Sequence, residues 1–469
     1  MSETSEREIA FLTASELVEA YRRKTLSPVE VTEAMLRRLD RLEPRLNAFV
    51  LVARDSARAE ARAAESRWMK GAPLGLLDGV PATIKDIFLT KGWPTLRGST
   101  LIRRDQEWDE DAPPVARLRE HGAVLIGKTT VPEFGWKALG DSPLTGITRN
   151  PWSLAHTPGG SSAGAAAALA AGIGPLAVGT DGGGSIRIPC AFCGLPGLKP
   201  TLGRVPHYPQ SVFGLVAHTG PMARSVTDLA LLLTVIGEAD DRDVYALPPA
   251  ATDWRQGIED GVAGLRIAYS PTLGYARVDP EIAVAVETAA RHFAELGATV
   301  ETVERVFDDP ATAWLTLWWS GAAKALSACS AAERQGIDPG LEASARQGER
   351  LTAIDYVGAD VARSALSLEM VKFHRRFDLL LTPSVAVPAL PVGALLSDPA
   401  RQREWIEWAP FSYPFNLTRQ PAATVPCGLT ASGLPIGLQI VGRRFDDALV
   451  LRAARAFERA QPFPRCPLD

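Results

Sequence analysis

Residues 156–201 read HTPGGSSAGAAAALAAGIGPLAVGTDGGGSIRIPCAFCGLPGLKPT. His156–Gly160 is loop chemistry, and Ser162–Ala171 is an alanine-rich helix closed at Gly172. Leu176–Val178 is a short apolar strand, and Asp181–Gly184 a second glycine loop leading into Ser185-Ile186-Arg187-Ile188-Pro189. A loop–helix–strand–loop order of this kind belongs to a layered α/β sheet.

The flanking sequence agrees. Upstream, LDGVPATIKDIFLT at 77–90 is a β-branched run bounded by Gly79-Val80-Pro81, a strand with Lys85 at or near its end. Residues 113–121 read as helix and Val124–Ile126 as strand. Thr13 with Glu16 and Ser27-Pro28 with Glu30 are helix starts, and a third helix covers about Ser56–Met69. Downstream, Asp240–Gly261 reads as a surface connection, residues 262–306 as strand–helix–strand, and residues 307–377 as mostly helical. Phe377–Val392 and Leu434–Val441 are strand-like and close the sheet.

Composition narrows the function. Across 469 residues the chain is 46% hydrophobic with a formal net charge of −4, so nothing points to nucleic acid or an anionic membrane surface. Length alone allows two or three domains or one large α/β unit. The N-terminus lacks a basic start before an apolar run, and no segment has the roughly 18 apolar residues that cross a bilayer. A cytoplasmic enzyme is the expectation. The five cysteines form no disulfide framework; Cys190 and Cys193 make a lone CxxC without a second ligand pair, so burial is favoured over a metal or redox role. No metal and no cofactor is expected. Only nine of the 50 basic residues are lysines, so a lysine inside an apolar strand stands out.

In the loop Thr180–Ser185, three consecutive glycines let backbone N–H groups converge on one point. Such a nest holds a developing oxyanion at about 2.7–4 kcal/mol per donor, with Ser185 where a nucleophile would sit; a plain turn or a phosphate loop is the alternative. No Gly-Lys-Ser/Thr follows, which disfavours a Walker loop. The G-x-S-x-G centred on Ser162 follows loop sequence rather than a strand, which argues against a nucleophile elbow. Lys85, between Ile84 and Asp86-Ile87-Phe88, can be drawn into a dry interior, where desolvation lowers an amine's pKa and turns it into a base.

These pieces resemble the amidase signature family: VPATIKD around Lys85, NPW at Asn150–Trp152, PGGSSAG at Pro158–Gly164, and GTDGGGSIRIPCAFCGLPGLKPT at Gly179–Thr201. GPMARSVTDLALLL at Gly220–Leu233 and GLPIGLQIVG at Gly433–Gly442 also fit, in the family's order. The resemblance implies a large mixed β-sheet core covered by helices on both faces, as a single domain over residues 1–469. Residues 1–70 would form an N-terminal helical part, 75–235 the signature core, and 307–377 a helical insertion forming part of the substrate cleft. It also implies a Ser–cis-Ser–Lys triad of Ser185 as nucleophile, Ser161 on a cis peptide after Gly160, and Lys85 as base. Backbone N–H groups of Gly182, Gly183, Gly184 and Ser185 would line the oxyanion hole, with Asp181, Arg187 and Ser162 as the supporting polar shell. Ala163 departs from the family's usual glycine. The six histidines are scattered, which leaves a Ser-His-Asp arrangement as a minor alternative.

Aromatic residues crowd the segments expected at the cleft, among them Phe134, Trp136, Trp318, Trp319 and Trp408. They favour a bulky apolar or aryl amide, with ester or carbamate (urethane) cleavage as further activities. Trp136, Trp318, Trp319 and Trp408 are the expected substrate contacts, with Trp405–Trp408 in a mobile lid-like loop. A small-molecule substrate, no nucleic acid, no membrane, and a monomer or homodimer complete the expectation. The alternatives are the glutamine-hydrolysing component of an amidotransferase complex and a noncatalytic binding protein.

Overall fold

The computed structural model describes residues 3–248, 250 and 253–468. Thirteen strands occur among them: β1 (Phe49–Val52), β2 (Pro81–Lys85), β3 (Val124–Thr129), β4 (Asp141–Ser142), β5 (Gly146–Ile147), β6 (Leu176–Asp181) and β7 (Gly197–Lys199). They continue with β8 (His218–Ala223), β9 (Arg266–Tyr269), β10 (Thr299–Thr302), β11 (Leu379–Pro383), β12 (Ala422–Leu429) and β13 (Pro435–Gly442). Eleven join one mixed sheet in the order β1-β3-β2-β6-β8-β7-β12-β13-β11-β9-β10, and β4 pairs with β5 apart from it.

Alternation along the strands explains why this sheet is buried on both faces. In β3, Leu125 enters one hydrophobic cluster while Val124 and Ile126 enter another. In β6, Leu176 and Val178 face the first cluster and Ala177 the second. Side chains two apart share a face, so each strand feeds two cores. Helices cover these faces. Both expected helix starts form, each closed by a capping box, Thr13 with Glu16 and Ser27 with Glu30, at the starts of Ala14–Arg23 and Pro28–Leu46. The helix Ala163–Ala170 is buried on every side, which its near-uniform alanine composition allows. A Cβ on Gly164 would collide with the Ala48 carbonyl oxygen, so the chain packs there at backbone distance. The Ala163 methyl lies toward Gly140.

One topological fact positions the site. β2 and β6 are adjacent and parallel, with Ile84 opposite Val178. Their carboxyl ends therefore open at the same sheet edge, and Lys85 and Thr180-Asp181 arrive there together. Ligand sites of α/β sheets form outside such ends.

The expected surface connection over Asp240–Gly261 holds no helix or strand among its described residues. Residues 307–377 carry the helices Ala311–Leu326, Pro339–Gly348 and Ala353–Phe373. Among the described residues no helix is long and apolar enough to cross a membrane. The segment Trp405–Trp408, expected as a mobile lid, is a packed 3-10 turn. Trp405 meets Trp314 edge-on at 5.6 Å between ring centres and Trp408 stacks on Phe192, so burial of these rings fixes the segment in the core.

Candidate active site

Lys85 ends β2 with no solvent exposure, and its Nζ donates to Ser161 Oγ at 2.8 Å and Thr180 Oγ1 at 2.7 Å. Burial drives the amine's pKa well below its ordinary value, against the opposing pull of the Asp181 carboxylate. Burial therefore favours the neutral amine, the form that can accept a proton. Thr180 does not stand out in the sequence; its place at the end of the strand beside Lys85 is the available signal. Ser161 follows a cis Gly160–Ser161 peptide bond. Ser161 and Ser185 both line one cavity, and no hydrogen bond joins their hydroxyls. Ser162 ties the two loops together: its N–H donates to the Ser185 carbonyl at 3.2 Å and its Oγ to the Thr180 carbonyl at 3.3 Å.

The glycine loop is aimed through its carbonyls. In a trans peptide the C=O and the following N–H point in opposite directions. Asn416 Nδ2 holds the Asp181 carbonyl at 2.8 Å, Trp314 Nε1 the Gly182 carbonyl at 2.9 Å, and Ile188 N the Gly184 carbonyl at 2.7 Å. The N–H groups of Gly182, Gly183 and Ser185 are thereby turned the other way, and none has a hydrogen-bond partner among the described residues. Gly184 differs from the expectation. Ser412 Oγ holds the Gly183 carbonyl at 2.6 Å, and the Gly184 N–H donates to Asp181 Oδ1 at 2.8 Å, closing a turn. A Cβ on Gly183 would come 2.5 Å from the Trp314 ring, and one on Gly182 2.9 Å from Trp318, so both glycines are sterically required.

Asp181 and Arg187 form the anchor beneath the loop. Arg187 Nη2 meets Asp181 Oδ1 at 2.8 Å with both side chains fully buried. Burial would raise the Asp181 pKa, but the Arg187 guanidinium and its hydrogen bonds hold the carboxyl well below the usual range. Arg187 also reaches the Ser412 carbonyl, Gln439 Oε1 and Asn416 Oδ1. Sequence reasoning misses Ser412, Asn416 and Gln439, which lie more than 220 positions downstream of Arg187. Arg187→Met would leave Asp181 charged and unpaired in the interior. Stability is expected to drop by about 3–5 kcal/mol, measured by urea unfolding.

The cavity of about 140 Å³ has a mixed lining. Ile87, Phe88, Phe134, Val212, Phe213 and Trp318 contribute apolar surface, and Arg97, His207, Gln210 and Ser211 contribute polar groups. Phe213 stacks on Trp318 at 3.8 Å and Trp318 on Trp314 at 4.6 Å. Of the four tryptophans expected at substrate, only Trp318 lines this cavity. Trp136 is buried beside it and accepts Trp318 Nε1 on its carbonyl, Trp319 packs by its backbone near Gly348, and Trp408 donates to the Leu395 carbonyl. Helical phase and core packing take these three away from the cavity. Arg97 has neither ion pair nor hydrogen bond from its guanidinium among the described residues, and Asp86 beside it is paired with Lys128 at 3.1 Å.

Histidine takes no part in the lysine–serine contact. His207 lines the cavity with Nδ1 on Thr219 Oγ1 at 2.8 Å, and burial holds its pKa down at about 4. His218 is buried with Nδ1 on the Val216 carbonyl. Cys190 and Cys193 are buried, and desolvation pushes both thiols well up.

The model of the Amidase family matches residues 30–451. An acylamidase of Rhodococcus erythropolis is 37% identical, with 98% of this chain and 97% of that protein covered. The A-type component of the glutamyl-tRNA(Gln) amidotransferase of Myxococcus xanthus (strain DK1622) is also 37% identical, with 97% and 98% covered. Among solved structures, a bacterial aryl acylamidase of the amidase signature enzymes superposes with a TM-score of 0.89 at 32% identity, covering 96% of each chain. The 6-aminohexanoate cyclic dimer hydrolase superposes at 0.88 with 29% identity, over 98% of this chain and 99% of that one. Matched along nearly its whole length in sequence and in fold, this chain belongs to the amidase signature family of hydrolases.

Proposed function

We propose that this hydrolase cleaves aryl and other apolar amides through an acyl-enzyme on Ser185, with Ser161 as relay and Lys85 as base. The observation that carries the reading is the desolvated Lys85 amine held 2.8 Å from Ser161 Oγ, at a cavity onto which Ser185 also opens. Lys85 takes the Ser161 proton while Ser161 takes that of Ser185, whose Oγ bonds to the carbonyl carbon. The carbonyl oxygen becomes an oxyanion facing the N–H groups of Gly182, Gly183 and Ser185. Breakage of the C–N bond returns the relayed proton to the leaving amine. Water then adds to the acyl ester, gives its proton to the same relay, and frees Ser185 and a carboxylic acid. Hydrogen bonds in such chains are commonly long before substrate arrives, which accommodates the open Ser161–Ser185 pair.

Size and lining support the substrate class. An apolar cavity of about 150 Å³ accepts a benzene ring, so the space beside Ser185 suits one aryl group against Phe134, Phe213 and Trp318. Esters and carbamates present a carbonyl open to the same attack and are proposed as further substrates. The five cysteines form no disulfide among the described residues, which suits a reducing compartment, and the cytoplasm is the proposed location.

Arg97 favours a second reading, glutamine hydrolysis for amidotransfer, because an unpaired guanidinium on the cavity wall could receive an amino-acid carboxylate. A screen of p-nitroanilides, p-nitrophenyl esters, aryl carbamates and L-glutamine with the purified chain separates the two. Anilides are expected to exceed glutamine at least tenfold in kcat/KM. Glutamyl hydroxamate formed with hydroxylamine, and inert anilides, would instead establish the second reading.

A further inference from the structure

A second cavity, of about 320 Å³, shares no lining residue with the catalytic one. It lies between the helix Ala353–Phe373, residues 418–420 and Arg443-Arg444 just past β13. Four arginines line it. Arg363 is paired with Asp360 at 2.8 Å, and Arg443 with Asp378 at 3.1 Å and Asp446 at 3.6 Å. Arg419 and Arg444 have no ion pair among the described residues. Burial and the charge of Arg363 bring the pKa of Arg419 down to about 10; Arg444, exposed and lying over the Phe445 ring at 4.5 Å, is lowered by partial desolvation and by Arg363. Asp360 offsets part of the repulsion on Arg419, but among the described residues neither Arg419 nor Arg444 has a carboxylate within ion-pair distance, and like charges so gathered repel one another.

The wall between them holds a second, independent feature. Three successive residues each present a buried polar atom with no hydrogen-bond partner among the described residues: Thr418 Oγ1, Arg419 Nε and Gln420 Oε1. Thr418 is 3% exposed and Gln420 2%. Buried orphans of this kind are uncommon, because each has given up its water without a replacement. Gln420 cannot turn its oxygen away cheaply, because its Nε2 donates to the Gly442 carbonyl at 2.8 Å and faces His374 Nε2 at 2.8 Å. Arg419 adopts left-handed backbone at φ 61°, a conformation a side chain keeps only when its surroundings impose it.

The geometry points to a binding site for a phosphate group, free or carried by a small organic phosphate. Two guanidinium forks without ion-pair partners among the described residues and a threonine hydroxyl donate to its oxygens, and such forks pair bidentately with phosphate oxygens. Gln420 Oε1 accepts from a P–OH or a ligand hydroxyl. Leu368, Met370 and Val371 leave an apolar wall for an organic remainder.

The test is calorimetric titration of the full chain with inorganic phosphate and with glycerol phosphate at constant ionic strength, beside Ser185→Ala, Arg419→Gln and Arg444→Gln. Saturable binding at millimolar concentration or below is expected in the wild type and Ser185→Ala, and at least tenfold weaker in each arginine variant. Tighter binding of the phosphomonoester assigns the site to an organic phosphate, and equal binding to the free ion. Arg444 is exposed, so its variant folds whatever Arg419→Gln does, and its ligand-free melting temperature should not fall. Absence of binding, or affinity unchanged by both arginine variants, would overturn the assignment, as would loss of binding in Ser185→Ala alone.

Discussion

Ser185→Ala is expected to reduce amide turnover on the order of 10⁵-fold while leaving the melting temperature within a few degrees. The kinetic loss follows from removing the atom that bonds to the acyl group, a deletion that in serine hydrolases leaves only the contribution of the oxyanion donors and of binding. The unchanged stability follows from the structure. Among the described residues the Ser185 hydroxyl makes no hydrogen bond to another side chain or to the backbone, whereas its own carbonyl and N–H are set by the loop. Fluorophosphonate labelling of the wild type and not of the variant, together with matched thermal melts, checks both halves. A variant retaining activity within tenfold of the wild type would remove Ser185 from the mechanism.

Lys85→Met should lower kcat by about 10²–10⁴-fold, the usual contribution of a positioned base. Its pH behaviour is the more specific expectation. The amine works only when neutral, so wild-type kcat/KM rises with pH through the Lys85 pKa, and burial places that rise well below the ordinary lysine value. In Lys85→Met this limb disappears. Stability carries the same sign. The folded state releases the Lys85 proton before the unfolded chain does, so folding strengthens as pH rises between the two pKa values, and this dependence is also lost in the variant. His207→Ala is the control, because that imidazole is neutral above about pH 4 and bonded to Thr219. Its turnover should stay within tenfold; a His207 variant as inactive as Lys85→Met would shift the base to histidine.

Strands with continuous apolar or β-branched character are legible: β2, β3, β6, β11 and β13 each lie within or overlap a stretch that reads as strand. β7 and β8 are not. Gly197–Lys199 is three residues long, and His218–Ala223 contains Gly220-Pro221, a turn dipeptide by composition. Pairing with β6 over six residues overrides that local preference. The C-terminal helix Asp447–Ala460 and the helix Val226–Ile236 are also absent from the expected elements, although the latter lies in a stretch carrying the family resemblance.

By itself the sequence determined the two glycine-rich, serine-bearing loops and the strand that ends in Lys85, because each depends on residue type within a few positions; the burial of that lysine came from the packed sheet. The tertiary structure alone decided which N–H groups remain free, since distant Asn416, Trp314 and Ser412 pin the intervening carbonyls. It alone decided which tryptophan meets the cavity, because that depends on how a helix is rotated against the glycine loop. Local chemistry is written along the chain, but orientation comes from contacts between residues hundreds of positions apart.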